Sequence, residues 1–296
     1  MKAWKAELVL LVCTFIWSAT FLFTKIGLDY TSPAFFMIIR YAVGLAFALV
    51  FCGKHLKTIN KQIFKQGIIL GLFLGGGFML QAYGLGLTTV SKSAFITSCS
   101  VLFTPFFYYF IERKKIKLWS ILGVIIVSSG LWIFTNPEFD NLNMGDVLTL
   151  ISTIFWGLYV IYIDVFTRGK SDMALTSQLM IVQLATAIPL TSVFFFSNEI
   201  SNFYFNWDWQ LVIAVLFNGV FSSFITTLMH TRVQSYSTPV RATLIFSVEP
   251  IIASAIAVIV IAEYFGLREI IGAAILLSGV LIAELGGMLS KKYAEY

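Results

Sequence analysis

The sequence predicts an all-α integral membrane protein in which ten transmembrane helices form two inverted repeats of five. Three observations lead there. The chain of 296 residues is 58% hydrophobic and only 12% charged, half the charge of an ordinary soluble domain, with a mean hydropathy of +0.88. Its apolar residues lie in continuous runs, as membrane helices require, and do not alternate with polar ones as barrel strands do. Parts of the chain also repeat at a fixed offset. A soluble core of this size has no room for so much apolar surface. Composition therefore excludes a soluble globular enzyme, a disordered chain and a disulfide-built secreted domain.

Ten apolar segments are expected at roughly 8–27, 33–52, 67–87, 91–111, 118–135, 145–164, 174–196, 209–230, 238–262 and 267–288. The first follows Lys2 and Lys5 as a signal peptide would. It runs on to Lys25 without a small-x-small cleavage site, so it reads as an uncleaved span. The longest connections are Lys54–Gln66, Asn136–Met144 and Ser197–Asp208, and none has room for a soluble domain. With the N-terminus in the cytoplasm, fifteen of the 20 Lys and Arg residues fall on inner segments. Only Lys92 and Arg268 fall on outer ones, while Lys25, Arg40 and Arg241 lie within spans. Cations collect on cytoplasmic loops, so both termini are expected inside. Topology thus accounts for the net charge of +5, and no nucleic-acid partner is expected. The expected partners are the lipid bilayer and a small-molecule substrate; nothing in the sequence separates a monomer from a homodimer.

Cys13, Cys52 and Cys99 lie in or beside apolar runs without close pairing, and read as small apolar fillers. His55 and His230 are far apart in sequence, with His230 at a membrane edge, so no histidine metal site is expected. The P-loop signature is absent, so the chain is not expected to hydrolyse ATP, and no cofactor is implied.

Repetition organises the rest. A shift of 139 residues brings the first span onto the sixth, Thr14 onto Thr153 and Trp17 onto Trp156. A shift of 149 brings the fifth span onto the tenth, with Ile121, Gly123, Ile126, Ser129, Gly130 and Ile133 matched by identical residues. The same shift sets Lys92 on Arg241 and Ser100 on Glu249; the longer Ser197–Asp208 connection supplies the difference between the two shifts. Five spans per copy is an odd number, so the second copy enters from the opposite side. The basic loop Glu112–Lys117 has lost most of its cations in its counterpart Glu263–Glu269, as that inversion requires. Inverted repeats are a common build of secondary transporters, with a site near the membrane midplane. The two repeats are expected at 1–136 and 145–290.

The copies resemble EamA domains of the drug/metabolite transporter superfamily. The residues that carry the resemblance are the run Trp17 to Lys25, Ser32-Pro33 leading to Arg40, Ser93 to Thr97 with Glu112, and Gly123 with Gly130. In the second copy they are Arg241-Ala242, Glu249-Pro250, Glu263, and Gly272 with Gly279. The resemblance spans nearly the whole chain and implies a ten-helix fold, a bacterial-type inner (plasma) membrane and movement of small metabolites. The first copy departs from the second in having Ser100-Val101 where Glu249-Pro250 stands.

Six residues are candidates for substrate contact: Trp17, Arg40, Thr97, Ser100, Trp156 and Glu249. Charges inside spans are costly and face a cavity or a partner. Glu249, midway along the ninth span, reads either as a cavity carboxylate for a cation or proton, or as a structural group paired with a neighbour. Pro250 is expected to kink its helix. Arg40 can take a carboxylate bidentately, hold helices together or snorkel. Lys25 and Asp164 end equivalent spans and read as gates or as interface anchors. Ser93, Thr97, Ser100 and Thr104 make a hydroxyl stripe along the fourth span, either a wet cavity wall or glue between helices. Trp17 and Trp156 sit mid-span, away from the interfacial belt where tryptophans concentrate, and suit an apolar or aromatic solute or plain packing. Gly67, Gly71 and Gly75 mark a close-packing face. The function expected is a secondary transporter, acting as an exporter of small organic metabolites such as amino acids. A lipid or lipid-linked sugar flippase is the alternative. An intramembrane enzyme lacks an evident nucleophile and base, so no enzymatic activity is expected.

Overall fold

A computed structural model describes residues 1–114, 116–135, 143–170, 172–261 and 266–293. Lys115, the connection 136–142 and the family-like Glu263 lie outside the described residues. The first half comprises α1 (Ala3–Leu28), α2 (Pro33–Cys52), α3 (Lys61–Gly86), α4 (Val90–Ser98), α5 (Ser100–Glu112) and α6 (Leu118–Thr135). The second comprises α7 (Met144–Thr167), α8 (Met173–Phe194), α9 (Trp209–Leu216), α10 (Thr227–Val233), α11 (Pro239–Phe246), α12 (Glu249–Ile261) and α13 (Leu267–Tyr293). A π-helical stretch, Phe217–Thr226, joins α9 to α10. Among the described residues there is no strand, only an isolated bridge between Thr31 and Phe205.

Eight helical segments are long and apolar enough to cross a membrane, and two shorter apolar stretches, Leu118–Phe134 and Ile270–Ala283, fall where the fifth and tenth spans are expected. The outside of the bundle is apolar: Val50, Phe110 and Ile259 are 79%, 72% and 83% exposed. In water such a belt would drive aggregation; in a bilayer it faces lipid. The chain is a multi-pass membrane protein.

Two expected spans are not single helices. The fourth breaks at Cys99, between α4 and α5, and the ninth at Ser247–Val248, between α11 and α12. These breaks are equivalent under the 149-residue shift. In the second copy Pro250 has no N–H to offer the preceding turn. In the first the equivalent residue is Val101, and Pro105 lies beyond the break, within α5. Thr97, Ser98 and Thr104 instead bond back to the carbonyls of Ser93, Ala94 and Ser100, which bends helices. Thr89 and Thr238, equivalent residues, cap the N-termini of α4 and α11 through the N–H groups of Lys92 and Arg241.

Glycines set the closest contacts. A Cβ at Gly71 would lie 2.7 Å from the Gln183 carbonyl of α8, so α3 and α8 pack backbone to backbone there. A Cβ at Gly123 would lie 3.0 Å from the Gly279 carbonyl, and one at Gly130 would lie 2.9 Å from the Gly272 carbonyl. Gly123 is the repeat equivalent of Gly272, and Gly130 of Gly279, so α6 and α13 meet antiparallel in a reciprocal contact. Gly130→Ala drives its methyl against backbone, which cannot rotate away. Overpacking of this kind costs about 1–3 kcal/mol, or roughly 2–12 °C in Tm for a chain of this length. Thermal unfolding in detergent is expected to show that drop. Gly53→Ala, at a position with nothing within 4 Å, should move Tm little.

Candidate functional site

Some of the polar residues of the spans meet at a cavity within the bundle. Among the described residues it is lined by fourteen, from α1, α3, α4, α5, α7, α10, α11 and α12. Twelve of them form six repeat-equivalent pairs. The 139-residue shift matches Trp17 with Trp156, Thr20 with Tyr159 and Phe21 with Val160. The 149-residue shift matches Gln81 with His230, Thr97 with Phe246 and Ser100 with Glu249. Phe78 and Thr243 complete the wall. A cavity built from equivalent positions of two copies sits on the pseudo-twofold axis between them. Trp17 and Trp156 are identical, but three pairs are chemically unequal, since the second copy contributes the carboxylate of Glu249, the imidazole of His230 and the phenol of Tyr159.

Five of the six candidates from the sequence, Trp17, Thr97, Ser100, Trp156 and Glu249, line this cavity. Arg40 lines a small annex beside it, and Thr20, Phe21, Phe78 and Gln81 border both spaces. The hydroxyl stripe does not act as a unit. The break at Cys99 leaves Thr97 and Ser100 on the cavity, while Ser93 and Thr104 are buried away from it. His230 corrects a sequence expectation: it is not at a membrane edge but fully buried in the cavity wall. The π-helical stretch and α10 carry its helix inward at that level. Gln81 and His230 were legible in principle, because the 149-residue shift that aligns the fourth and fifth spans with the ninth and tenth also aligns these two.

An arc of rings forms much of the wall. Phe246 meets Trp17 at 5.2 Å, Trp17 meets His230 at 5.4 Å, and His230 meets Tyr159 at 5.8 Å between centroids. Tyr159 meets Trp156 at 5.9 Å, and Trp156 meets Phe78 at 4.5 Å. These are mostly edge-on contacts, the arrangement ring quadrupoles favour. Gln81 Nε2 donates to Thr97 Oγ1 at 2.8 Å, the Tyr159 hydroxyl donates to Gln183 Oε1 at 2.8 Å, and His230 Nε2 lies 2.9 Å from Gln234 Oε1. The Ser18 hydroxyl donates to the Glu249 carbonyl at 3.2 Å, fixing the start of α12 against α1. Three ring nitrogens, Trp17 Nε1, Trp156 Nε1 and His230 Nδ1, are buried without a hydrogen-bond partner. Buried polar atoms are ordinarily paired, so this wall holds hydrogen-bonding capacity that the protein itself leaves unused.

The two ends of the bundle differ. Beyond Tyr159 and Val160, toward the end that carries the N-terminus, Asp164, Arg168, Lys114, Lys117 and Arg241 line a vestibule. The space there open to the centre of a water molecule is about 530 Å³. The same measure in the central cavity is about 40 Å³, room for a few waters. The opposite end is tied shut. Lys25 Nζ donates to the Leu85 and Thr88 carbonyls at 2.9 and 3.0 Å, joining the end of α1 to the end of α3. Glu199 accepts from the Ala34 N–H at 3.0 Å, at the N-terminus of α2, and from the Tyr83 hydroxyl. Lys92 pairs with Asp146 at 2.7 Å. At the vestibule end Asp164 pairs with Arg168, and Arg241 pairs with Glu7 at 2.8 Å. The pairs Lys92–Asp146 and Glu7–Arg241 are repeat equivalents. One joins the fourth span to the sixth at one end, and the other joins the ninth to the first at the other end.

Among the described residues no group of three or more His, Cys, Asp or Glu side chains is placed to hold a metal ion.

Comparison with known proteins agrees with this architecture. The profile of the EamA-like transporter family matches residues 4–136 and again 143–285. A protein of Archaeoglobus fulgidus, named as an uncharacterized transporter, is 27% identical over 289 residues, covering 96% of this chain and 87% of its own length. The uncharacterized transporter YoaV of Bacillus subtilis is 22% identical, covering 94% and 96%. Purine permease 2 of Arabidopsis thaliana is 23% identical over 145 residues, 44% of this chain and 40% of its own. One crystal structure superposes with a TM-score of 0.73 at 15% identity, covering 95% of this chain and 98% of the other, which shows a shared fold.

Proposed function

The chain belongs to the EamA-like transporter family, and on that footing we propose that it is a secondary transporter that carries a small organic metabolite, such as an amino acid, outward by alternating access. Ten helices cross the membrane in this reading, with α6 and α13 as the fifth and tenth spans. The repeats, 1–136 and 145–290, move relative to each other around the central cavity. Both termini are cytoplasmic, as the distribution of fifteen of 20 cations supports, and the membrane is the bacterial-type inner (plasma) membrane. The vestibule then opens to the cytoplasm, where an exporter must collect its cargo.

One observation carries the reading: the cavity is built from equivalent residues of the two copies. Exchanging the conformations of two inverted repeats exposes such a site first on one side and then on the other, while its own lining stays in place. Among the described residues Glu249 is the only acidic side chain on the lining, and it serves as the exchangeable proton site for coupling to a gradient. Trp17, Trp156, Thr97 and Ser100 line the solute's path, and Arg40 stands behind it.

Purified protein in liposomes, screened against a broad metabolite panel, is expected to move at least one solute class across the bilayer. The relative named as a purine permease keeps planar heteroaromatic solutes in that panel. A folded, monodisperse preparation that moves none of them contradicts the proposal. One that scrambles labelled lipid instead makes the protein a flippase.

A further inference from the structure

Resting on the transport reading, we propose that Ser237 makes the contact that closes the cytoplasmic vestibule. When that end shuts, the Ser237 hydroxyl donates to the Glu7 carboxylate. This completes a cluster of Ser237, Glu7 and Arg241 that mirrors Thr88, Asp146 and Lys92 at the opposite end.

Two inverted repeats present the same positions at both ends of the bundle, once shut and once open. The 149-residue shift sets Thr88 on Ser237 and Lys92 on Arg241. The 139-residue shift sets Glu7 on Asp146 and Lys25 on Asp164. At the shut end Thr88 is held from two sides. Its Oγ1 donates to Asp146 Oδ1 at 3.1 Å, and its carbonyl accepts from Lys25 Nζ at 3.0 Å. Asp146 Oδ2 lies 2.7 Å from Lys92 Nζ. The carboxylate thus spends one oxygen on the hydroxyl and the other on the cation.

At the vestibule end the ion pair is in place and the other contacts are not. Arg241 Nη1 lies 2.8 Å from Glu7 Oε1. Ser237 is 7% exposed, and among the described residues its buried hydroxyl has no hydrogen-bond partner. Its carbonyl accepts from Gln234 Nε2 at 3.3 Å, within its own turn. Asp164, which stands where Lys25 stands in the first copy, is held by Arg168. Ser237, Asp164, Arg241 and Ala3 all line the vestibule. Glu7 lies four residues beyond Ala3, on the same face of α1.

The two hydroxyls differ by one methyl group, so their chemistry does not explain why one is paired and the other is not. A buried hydroxyl left unpaired costs free energy, and such groups ordinarily find a partner. The ion pair is common to both ends and does not tell shut from open. The bond from hydroxyl to carboxylate exists where the end is shut and is missing where it is open. When the repeats exchange conformations, Ser237 gains the bond that Thr88 loses. Each state then holds one such bond and leaves one hydroxyl unpaired, which keeps the two states near balance.

The test reads a single thiol, Ser100→Cys in the full chain without its three native cysteines. Its labelling rates are measured from the cytoplasmic side and from the outside, in inside-out and right-side-out membrane vesicles. The ratio of the two rates follows the balance of states and is independent of how much protein inserts. Ser237→Ala is expected to raise the ratio of cytoplasmic to outside labelling about tenfold, the loss of one hydrogen bond to a charged group. Thr88→Val is expected to lower it by a similar factor, and the double variant to return near the wild-type ratio. Ser237→Thr keeps the donor and is expected to keep the ratio. With Glu7→Ala present, Ser237→Ala is expected to add no further shift. An unchanged ratio in Ser237→Ala overturns the proposal, as does a full shift when Glu7→Ala is present. If the thiol reacts from both sides and only the dependence on Ser237 is missing, this contact fails and the transport reading stands. If it reacts from one side alone in wild type and in every variant, both fail.

Discussion

Glu249→Gln is expected to abolish accumulation of solute against its gradient while leaving downhill exchange, at raised solute concentration, intact. Glutamine keeps the shape of the side chain and one carbonyl acceptor, and replaces the group that titrates with an amide that carries no charge. Glu249 occupies the first position of α12, at the break where the helix gives way near the centre of the bundle. The other described carboxylates of the interior are placed differently. Asp146 and Glu199 are engaged at the closed end, and Asp164 and Glu112 with Arg168 at the vestibule end. None of these lines the cavity, so none can replace Glu249 as a proton site that faces each aqueous phase in turn. The measurement is uptake into proteoliposomes with and without an imposed pH gradient. A variant whose response to the gradient equals that of wild type removes Glu249 from the coupling mechanism.

The second large effect concerns the mirrored ion pairs. Lys92–Asp146 holds one end and Glu7–Arg241 the other, and the two are related by the repeat. The Asp146 side chain is 1% exposed and the Glu7 side chain 11%, so both pairs are sheltered from screening. One is formed at the shut end and the other at the open end of the same structure, so neither depends on its end being closed, and each holds its spans together in both states. Removing the cation is expected to cost about 1–3 kcal/mol of stability, or roughly 2–12 °C in Tm, in Lys92→Gln and in Arg241→Gln alike. The pairs lie at opposite ends of the bundle, so the double variant is expected to lose about the sum of the two. A Tm in detergent that moves in neither single variant contradicts this reading.

The sequence made some of this legible because repetition and mid-span polarity are one-dimensional signals. Trp17, Trp156, Ser100 and Glu249 stand at equivalent places in apolar runs, and all four meet at the cavity. Other features depend on geometry that no periodicity records. The break at Cys99 is not marked by its proline, since Pro105 lies six residues beyond it, within α5. Arg40 reaches its annex because Gly44 and Gly219 let α2 approach the stretch after α9: a Cβ at Gly44 would lie 3.0 Å from the Gly219 carbonyl. In the sequence His230 ends an apolar run, yet its helix is wound through a π-helical stretch that sets the ring on the cavity. Glu7 and Asp146 each lie near the start of a span. They become informative only once their partners, Arg241 and Lys92, are seen at opposite ends of the same bundle.

Reaction of a single cysteine in the cavity, read from each side of the membrane, tests alternating access most directly. Ser100→Cys in a background without Cys13, Cys52 and Cys99 places a thiol on the lining, for labelling by a membrane-impermeant maleimide. The thiol is expected to react from each side of the membrane in turn, and to be protected by transported solute on both. Reactivity confined to one side, with and without solute, would contradict a site shared between two exchanging repeats.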